Sequence, residues 1–155
     1  MLNFTYKLNE TPKVKPGDIL YSTHAVKIID LPFGLERRDG IADDFFYQFE
    51  AVKCTVLKLG IDTFDFNVEI NIDDDGTMRL SAPEPILIAE IQHPDGHTST
   101  ARFEHIYPKK YDMHNMYLCY FRTYAEAKRA ADRWNKNEKK LLAKFNQENG
   151  TDYKF

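Results

Sequence analysis

The chain has 155 residues, a net charge of −3 and 43% hydrophobic residues, including nine Tyr and eleven Phe. That is enough apolar material for one domain over 1–155 to bury a core without disulfides or a structural metal, and it argues against disorder of the whole chain. No run approaches the roughly 18 apolar residues of a membrane span, and the opening MLNFTYKLNETPKVK lacks the apolar stretch of a secretory signal, so a soluble cytoplasmic protein is expected.

In chain order, Lys15-Pro16-Gly17-Asp18 reads as a turn and Ile19-Leu20-Tyr21 as the start of a strand, which Ala25–Ile29 continues. Residues 31–44, rich in Pro, Gly and charge, read as a long loop. A strand-rich run covers Phe45–Leu59. Its alternation slips between Ala51 and Val52, which predicts a bulge there. From Phe64 to Ile72 every second residue is apolar, so Phe64, Phe66, Val68, Ile70 and Ile72 are expected on one buried face. Met78, Leu80 and Ala82 keep that parity across the turn. Ile72 therefore pairs with Met78 around the loop Asp74-Asp75-Gly76, with Gly in the left-handed third place. This segment also resembles the start of an EF-hand loop, but position 12 is Ala82 and both flanks are strands, so the turn explains it better.

The same chemistry recurs at Pro94-Asp95-Gly96, between Ile86–His93 and His97–Ile106. Pairing His93 with His97 sets Ile91 against Ser99, Ala89 against Ala101 and Leu87 against Phe103, which makes one face apolar. The other face carries Glu90, Gln92, Thr98, Thr100, Arg102 and Glu104, with Glu90 diagonal to Arg102. Thr123-x-x-Glu126 is a capping box, and Gly150 suits a helix end. Tyr124, Ala127, Ala131, Trp134, Leu141, Leu142 and Phe145 fall at helical spacing between them. The expected fold is α+β: a sheet-rich 1–120, as an antiparallel meander or small barrel-like sheet, with a C-terminal helix over about 124–148 packed on it.

Four of the five histidines lie between 91 and 114. A strand separates His97 from His105 by roughly 26 Å, so only His93 and His97 can meet, at the hairpin tip. Two histidines fall short of the three or four ligands of a zinc centre, and two solvated turn residues are the plainer reading. His97-Thr98-Ser99 matches half of the paired H-x-T/S signature of two-histidine phosphoesterases, and no second half is present. No G-x-S-x-G elbow or phosphate-binding Gly-rich loop occurs. Cys54 and Cys119 sit in apolar runs without a C-x-x-C partner and are expected to be buried, reduced thiols. No cofactor is indicated.

Charge is unevenly spread: residues 1–121 carry −7 and residues 122–155 carry +4. Arg129, Arg133, Lys136, Lys140 and Lys144 recur at helical steps and form one face, away from Trp134. A solvated outer face is the ordinary account of such a stripe. The functional account is an acidic partner. A second candidate contact surface is the 31–47 loop, with Arg37, Arg38, Asp43 and Asp44 beside Phe45, Phe46 and Tyr47. Tyr107, Tyr111, Tyr117, Tyr120 and Tyr124 interleave with Lys109, Lys110 and Arg122, a composition that can hold single-stranded bases but also suits a sheet–helix junction.

Two segments together, Val14-Lys15-Pro16-Gly17-Asp18-Ile19-Leu20-Tyr21 and Tyr120-Phe121-Arg122-Thr123-Tyr124-Ala125-Glu126-Ala127-Lys128-Arg129-Ala130, resemble small uncharacterised accessory proteins of bacterial phages and mobile elements. The resemblance covers about twenty residues and carries over no catalytic residue. It implies a protein that binds and blocks a host factor, including defence systems such as CRISPR nucleases. The leading expectation is therefore a non-enzymatic binding protein, an inhibitor of a host protein or nucleoprotein complex. The alternatives are a small hydrolase or phosphoesterase using the 93–114 histidines, and a nucleic-acid-binding module.

Overall fold

The computed structural model describes residues 12–37, 44–62, 69–81, 86–111 and 118–155. Strands β1 (Ile19–Asp30), β2 (Phe45–Asp62), β3 (Glu69–Ile72), β4 (Met78–Ser81), β5 (Ile86–Gln92) and β6 (Thr98–Arg102) precede a 3-10 turn (Phe103–His105) and helix α1 (Tyr124–Asn149). β1, β2, β5 and β6 form one open antiparallel sheet in that order, and α1 packs across β1 and β2, which makes the fold α+β. The sheet is not a closed barrel of strands, but short bridges tie its edges at one end. Phe121 exchanges backbone bonds with Tyr21 on the outer side of β1, and Tyr120 bonds the backbone of His105 and Tyr107.

Both hairpin registers follow from parity. Ile72 pairs with Met78, Ile91 with Ser99 and Ala89 with Ala101. Each loop closes alike: Gly76 N–H donates to Asp73 O, and Gly96 N–H to His93 O. Gly76 and Gly96 have φ of 82° and 90°, which side-chain-bearing residues adopt only with strain. Two expectations are corrected here. β3 and β4 form their own two-stranded sheet, outside the main one. Ile72 is 68% exposed rather than buried, because it stands at the loop end of that narrow ribbon; 64–68 and Ala82 lie outside the described residues. Glu90 lies diagonal to Arg102 as expected, and each meets an opposite charge on the neighbouring strand β2, Lys58 and Asp62 respectively.

The expected bulge at Ala51/Val52 is also corrected. The β1–β2 register runs unbroken through Thr23–Ala51 and Ser22–Val52, and slips instead at Lys27/Ile29 and, against β5, at Val56/Lys58. The apolar positions of β2 change parity because its two halves bury opposite faces. Phe49 and Ala51 face α1 with Ala127, Ala130, Ala131 and Trp134. Cys54 and Val56 face the other side with Leu20, Ile91, Phe103 and Tyr120. A third cluster joins Ile29 and Phe46 to Leu142 and Phe145 near the end of α1.

The predicted helix is present with its caps. Glu126 N–H donates to Thr123 Oγ1 at 3.2 Å, Thr123 N–H donates back to Glu126 Oε2 at 3.0 Å, and Gly150 closes the helix at φ 65°. Its buried face differs in detail from the expected stripe. Tyr124 is exposed and meets Tyr21 edge-on, while Ala130 and Glu138 are buried. Cys54 and Cys119 are both buried.

Candidate interaction surface

α1 is seated on the sheet by polar contacts as well as apolar ones. The odd-numbered residues of β1 turn their backbone groups outward, as Tyr21 does to Phe121, so their partners on β2 turn away from β1 as well. β5 meets those groups only from Thr55 onward. At Phe49, Asn135 replaces the missing strand: its Oδ1 accepts from Phe49 N–H at 2.7 Å and its Nδ2 donates to Phe49 O at 2.9 Å. At Tyr47, the amide donates to Glu138 Oε2 at 3.3 Å. The helix thus completes the free edge of β2 with two side chains one turn apart.

Glu138 also holds Arg37. Two bonds of 2.7 and 2.9 Å join the carboxylate to the guanidinium, which donates to Phe45 O at 3.0 Å and lies over the Phe46 ring at 4.1 Å. Arg37 is only 2% exposed, so the expectation that it contacts a partner is corrected: its fork is spent on joining the 31–37 segment to α1. The polar residue at 138, between Trp134 and Leu142 at steps of four, is the signal that marks this buried pair. Arg38 and Asp43 lie outside the described residues, and Asp44 is exposed, its carbonyl accepting from Leu31 N–H.

The stapled segment presents one apolar group. Leu31 and Leu35 pack into the third cluster on either side of Pro32-Phe33-Gly34. Leu35 N–H donates to Pro32 O at 3.1 Å and Gly34 has φ 93°, a type II turn with Phe33 at its corner. Phe33 is fully exposed. Beside it, Gly34, Leu35, Glu36, Lys144 and Glu148 line a depression of about 550 Å3 between the turn and α1.

Arg129, Arg133, Lys136, Lys140 and Lys144 are all exposed on the outer face of α1, opposite Ala127, Trp134 and Glu138. Lys144 reaches Glu148 at 3.9 Å, and Lys128, on the flank, reaches Asp132 at 3.0 Å. Among the described residues, Arg129, Arg133, Lys136 and Lys140 have no carboxylate within ion-pairing distance. They form a row about 17 Å long at the helical rise. Part of the tyrosine–basic group is used internally instead, while Tyr124, Lys109 and Lys110 are exposed. Tyr120 is buried, Tyr111 packs edge-on to Phe121 at 5.3 Å, and Arg122 covers the Tyr107 ring at 4.0 Å; Tyr117 lies outside the described residues.

The histidine pair occupies the opposite side of the sheet. His93 and His97 stack with ring centres 4.2 Å apart. His93 Nε2 lies 3.1 Å from Tyr120 Oη and its Nδ1 3.7 Å from Cys54 Sγ, while His97 bonds the Asp95 carboxylate. Burial pushes the Cys54 thiol up to about 11 and the Tyr120 hydroxyl up to about 12. Held that high, Cys54 stays a thiol at neutral pH, so its contact with His93 does not make it an activated nucleophile. No cluster of three or more His, Cys, Asp or Glu side chains that could hold a metal ion occurs among the described residues. Nor is any helix among them long and apolar enough to cross a membrane. Comparison with protein-family models, curated proteins and solved structures found no match to this chain.

Proposed function

We propose that the protein is a non-enzymatic binding protein that captures an acidic surface of a host protein or nucleoprotein complex through the outer face of α1. One observation carries this reading: four consecutive cations of that face, Arg129, Arg133, Lys136 and Lys140, stand exposed with no carboxylate partner among the described residues, in a chain whose net charge is −3. Cations left unpaired at helical steps can each meet a partner's negative charge, and their field speeds encounter. Phe33 favours a protein component in the partner. A rigid, fully exposed aromatic beside a charged rim is the composition of an interface anchor. The resemblance to phage accessory proteins makes host defence complexes the first partners to test.

The experiment is affinity capture from bacterial lysate with nuclease-treated and untreated arms. The Arg133→Glu/Lys136→Glu/Lys140→Glu variant is expected to keep its fold and to lose at least about tenfold in capture of whatever the wild type retains. Phe33→Ser is expected to weaken the same capture by roughly 1–2 kcal/mol. Unchanged capture by the triple variant removes α1 from the account. Capture abolished by nuclease, with steep salt dependence, instead favours the nucleic-acid module. His93→Ala/His97→Ala separates the hydrolase reading: a binding protein keeps its partner in that variant, whereas an enzyme using this pair loses turnover.

A further inference from the structure

The β5–β6 hairpin tip carries more titratable groups than a turn requires. Both ring nitrogens of His93 are engaged, Nε2 with Tyr120 Oη at 3.1 Å and Nδ1 with Cys54 Sγ at 3.7 Å. His97 covers the outer side of that ring, nearly parallel at 15°. It is oriented by Asp95, whose carboxylate also accepts from His97 N–H at 3.1 Å. The groups around the pair come from every neighbouring element. β1 brings His24, which lies across from Glu50, and β2 brings Lys53 and Cys54. The loop brings Asp95, and the segment after residue 118 brings Tyr120.

We propose that the stacked His93–His97 pair is an acid-sensitive latch: protonation of both rings unseats the hairpin tip from Tyr120 and uncovers Cys54. His97 is held on the Asp95 carboxylate, so a proton on its ring loses no bond. A proton on His93 is disfavoured by burial and by the neighbouring His97 ring, 4.2 Å away. A doubly protonated His93 has two donors and no acceptor, so Cys54 and Tyr120 must both turn to accept, and the thiol sulfur accepts poorly. Burial and the neighbouring His97 hold His93 below its ordinary 6.5, so it is neutral at pH 7. What resists opening at the tip is one cross-strand bond, His93 N–H to His97 O at 2.9 Å, before the Gln92–Thr98 pair begins.

The full chain carrying Cys119→Ser retains Cys54 as its only thiol, and its reaction with 2,2′-dithiodipyridine is followed from pH 7.5 to 5.5. Relative to glutathione at each pH, the Cys54 rate is expected to rise as pH falls below 6.5, by up to about tenfold per pH unit, the limit for one proton taken up on opening. In the same background His97→Asn, which cannot become charged, is expected to flatten that rise. On the otherwise unaltered chain, ring NMR is expected to show His93 titrating below 6.5 and moving up in His97→Asn. A Cys54 rate that tracks glutathione throughout, or a His93 midpoint indifferent to His97→Asn, overturns the latch. If Cys119→Ser does not fold, the ring titration decides alone.

Discussion

Arg37 and Glu138 show how a residue that looks like surface chemistry becomes interior architecture. Burying one charge alone is strongly unfavourable, and here two bonds between the partners, a carbonyl, an amide and an aromatic face satisfy both. Glu138→Ala takes both carboxylate bonds from a buried guanidinium. It is expected to cost about 3–5 kcal/mol in chemical denaturation, whereas Arg37→Met with Glu138→Leu is expected to recover most of that loss. Trp134 gives a contrasting case. It stacks on Phe49 at 5.0 Å, and its Nε1 makes no hydrogen bond among the described residues. Trp134→Phe is therefore expected to cost clearly less than the roughly 3–5 kcal/mol of Trp134→Ala, measured in the same way. His93 sets a pH dependence whose sign is fixed by its contacts. Its folded value lies below the ordinary 6.5, so the folded state prefers the neutral ring. Its contribution to stability is present above pH 6.5 and is lost as pH falls below it, which unfolding curves at pH 7.5 and 5.5 measure.

At the scale of elements, the ends of α1 are set by local chemistry and its seat by long-range chemistry. Thr123→Ala removes the Oγ1 acceptor of the capping box while leaving the Thr123 N–H to Glu126 bond, and is expected to cost about 1 kcal/mol, with the lost helicity confined to the first turn by amide exchange. The helix cap, the two hairpin loops and the basic stripe were all legible in sequence because each depends on spacings of a few residues. The face reversal along β2 was not. Alternation reports which residues share a side, but not which side another element covers, so a change of cover at Ala51/Val52 looks like a bulge. The two real register slips lie elsewhere because they answer to strand partners chosen across the fold. Asn135 was likewise unremarkable in sequence. Its role appears only because β5 ends and leaves the Phe49 backbone open.

At the scale of the molecule, the sheet separates two surfaces. α1 covers one face and turns its cations outward, while the histidine pair packs beside Tyr120 and Cys54 on the other. The charge reversal at Arg133, Lys136 and Lys140 is therefore expected to leave unfolding within about 0.5 kcal/mol of wild type, since these residues are exposed and outside the buried clusters. The latch and the basic face are expected to act independently: His97→Asn leaves capture by α1 unchanged, as parallel binding measurements of the two variants would show. Parity and helical period, read from residue types alone, determined the α+β class, both hairpin registers, their glycine turns and the capped helix with one basic face. Tertiary structure alone decided that Arg37 is buried against a residue 101 positions away, that β3 and β4 leave the main sheet, and that Phe33 stands out between two anchored leucines. The reason is physical. Local pattern orients side chains within an element, whereas burial depends on which distant face arrives to cover them.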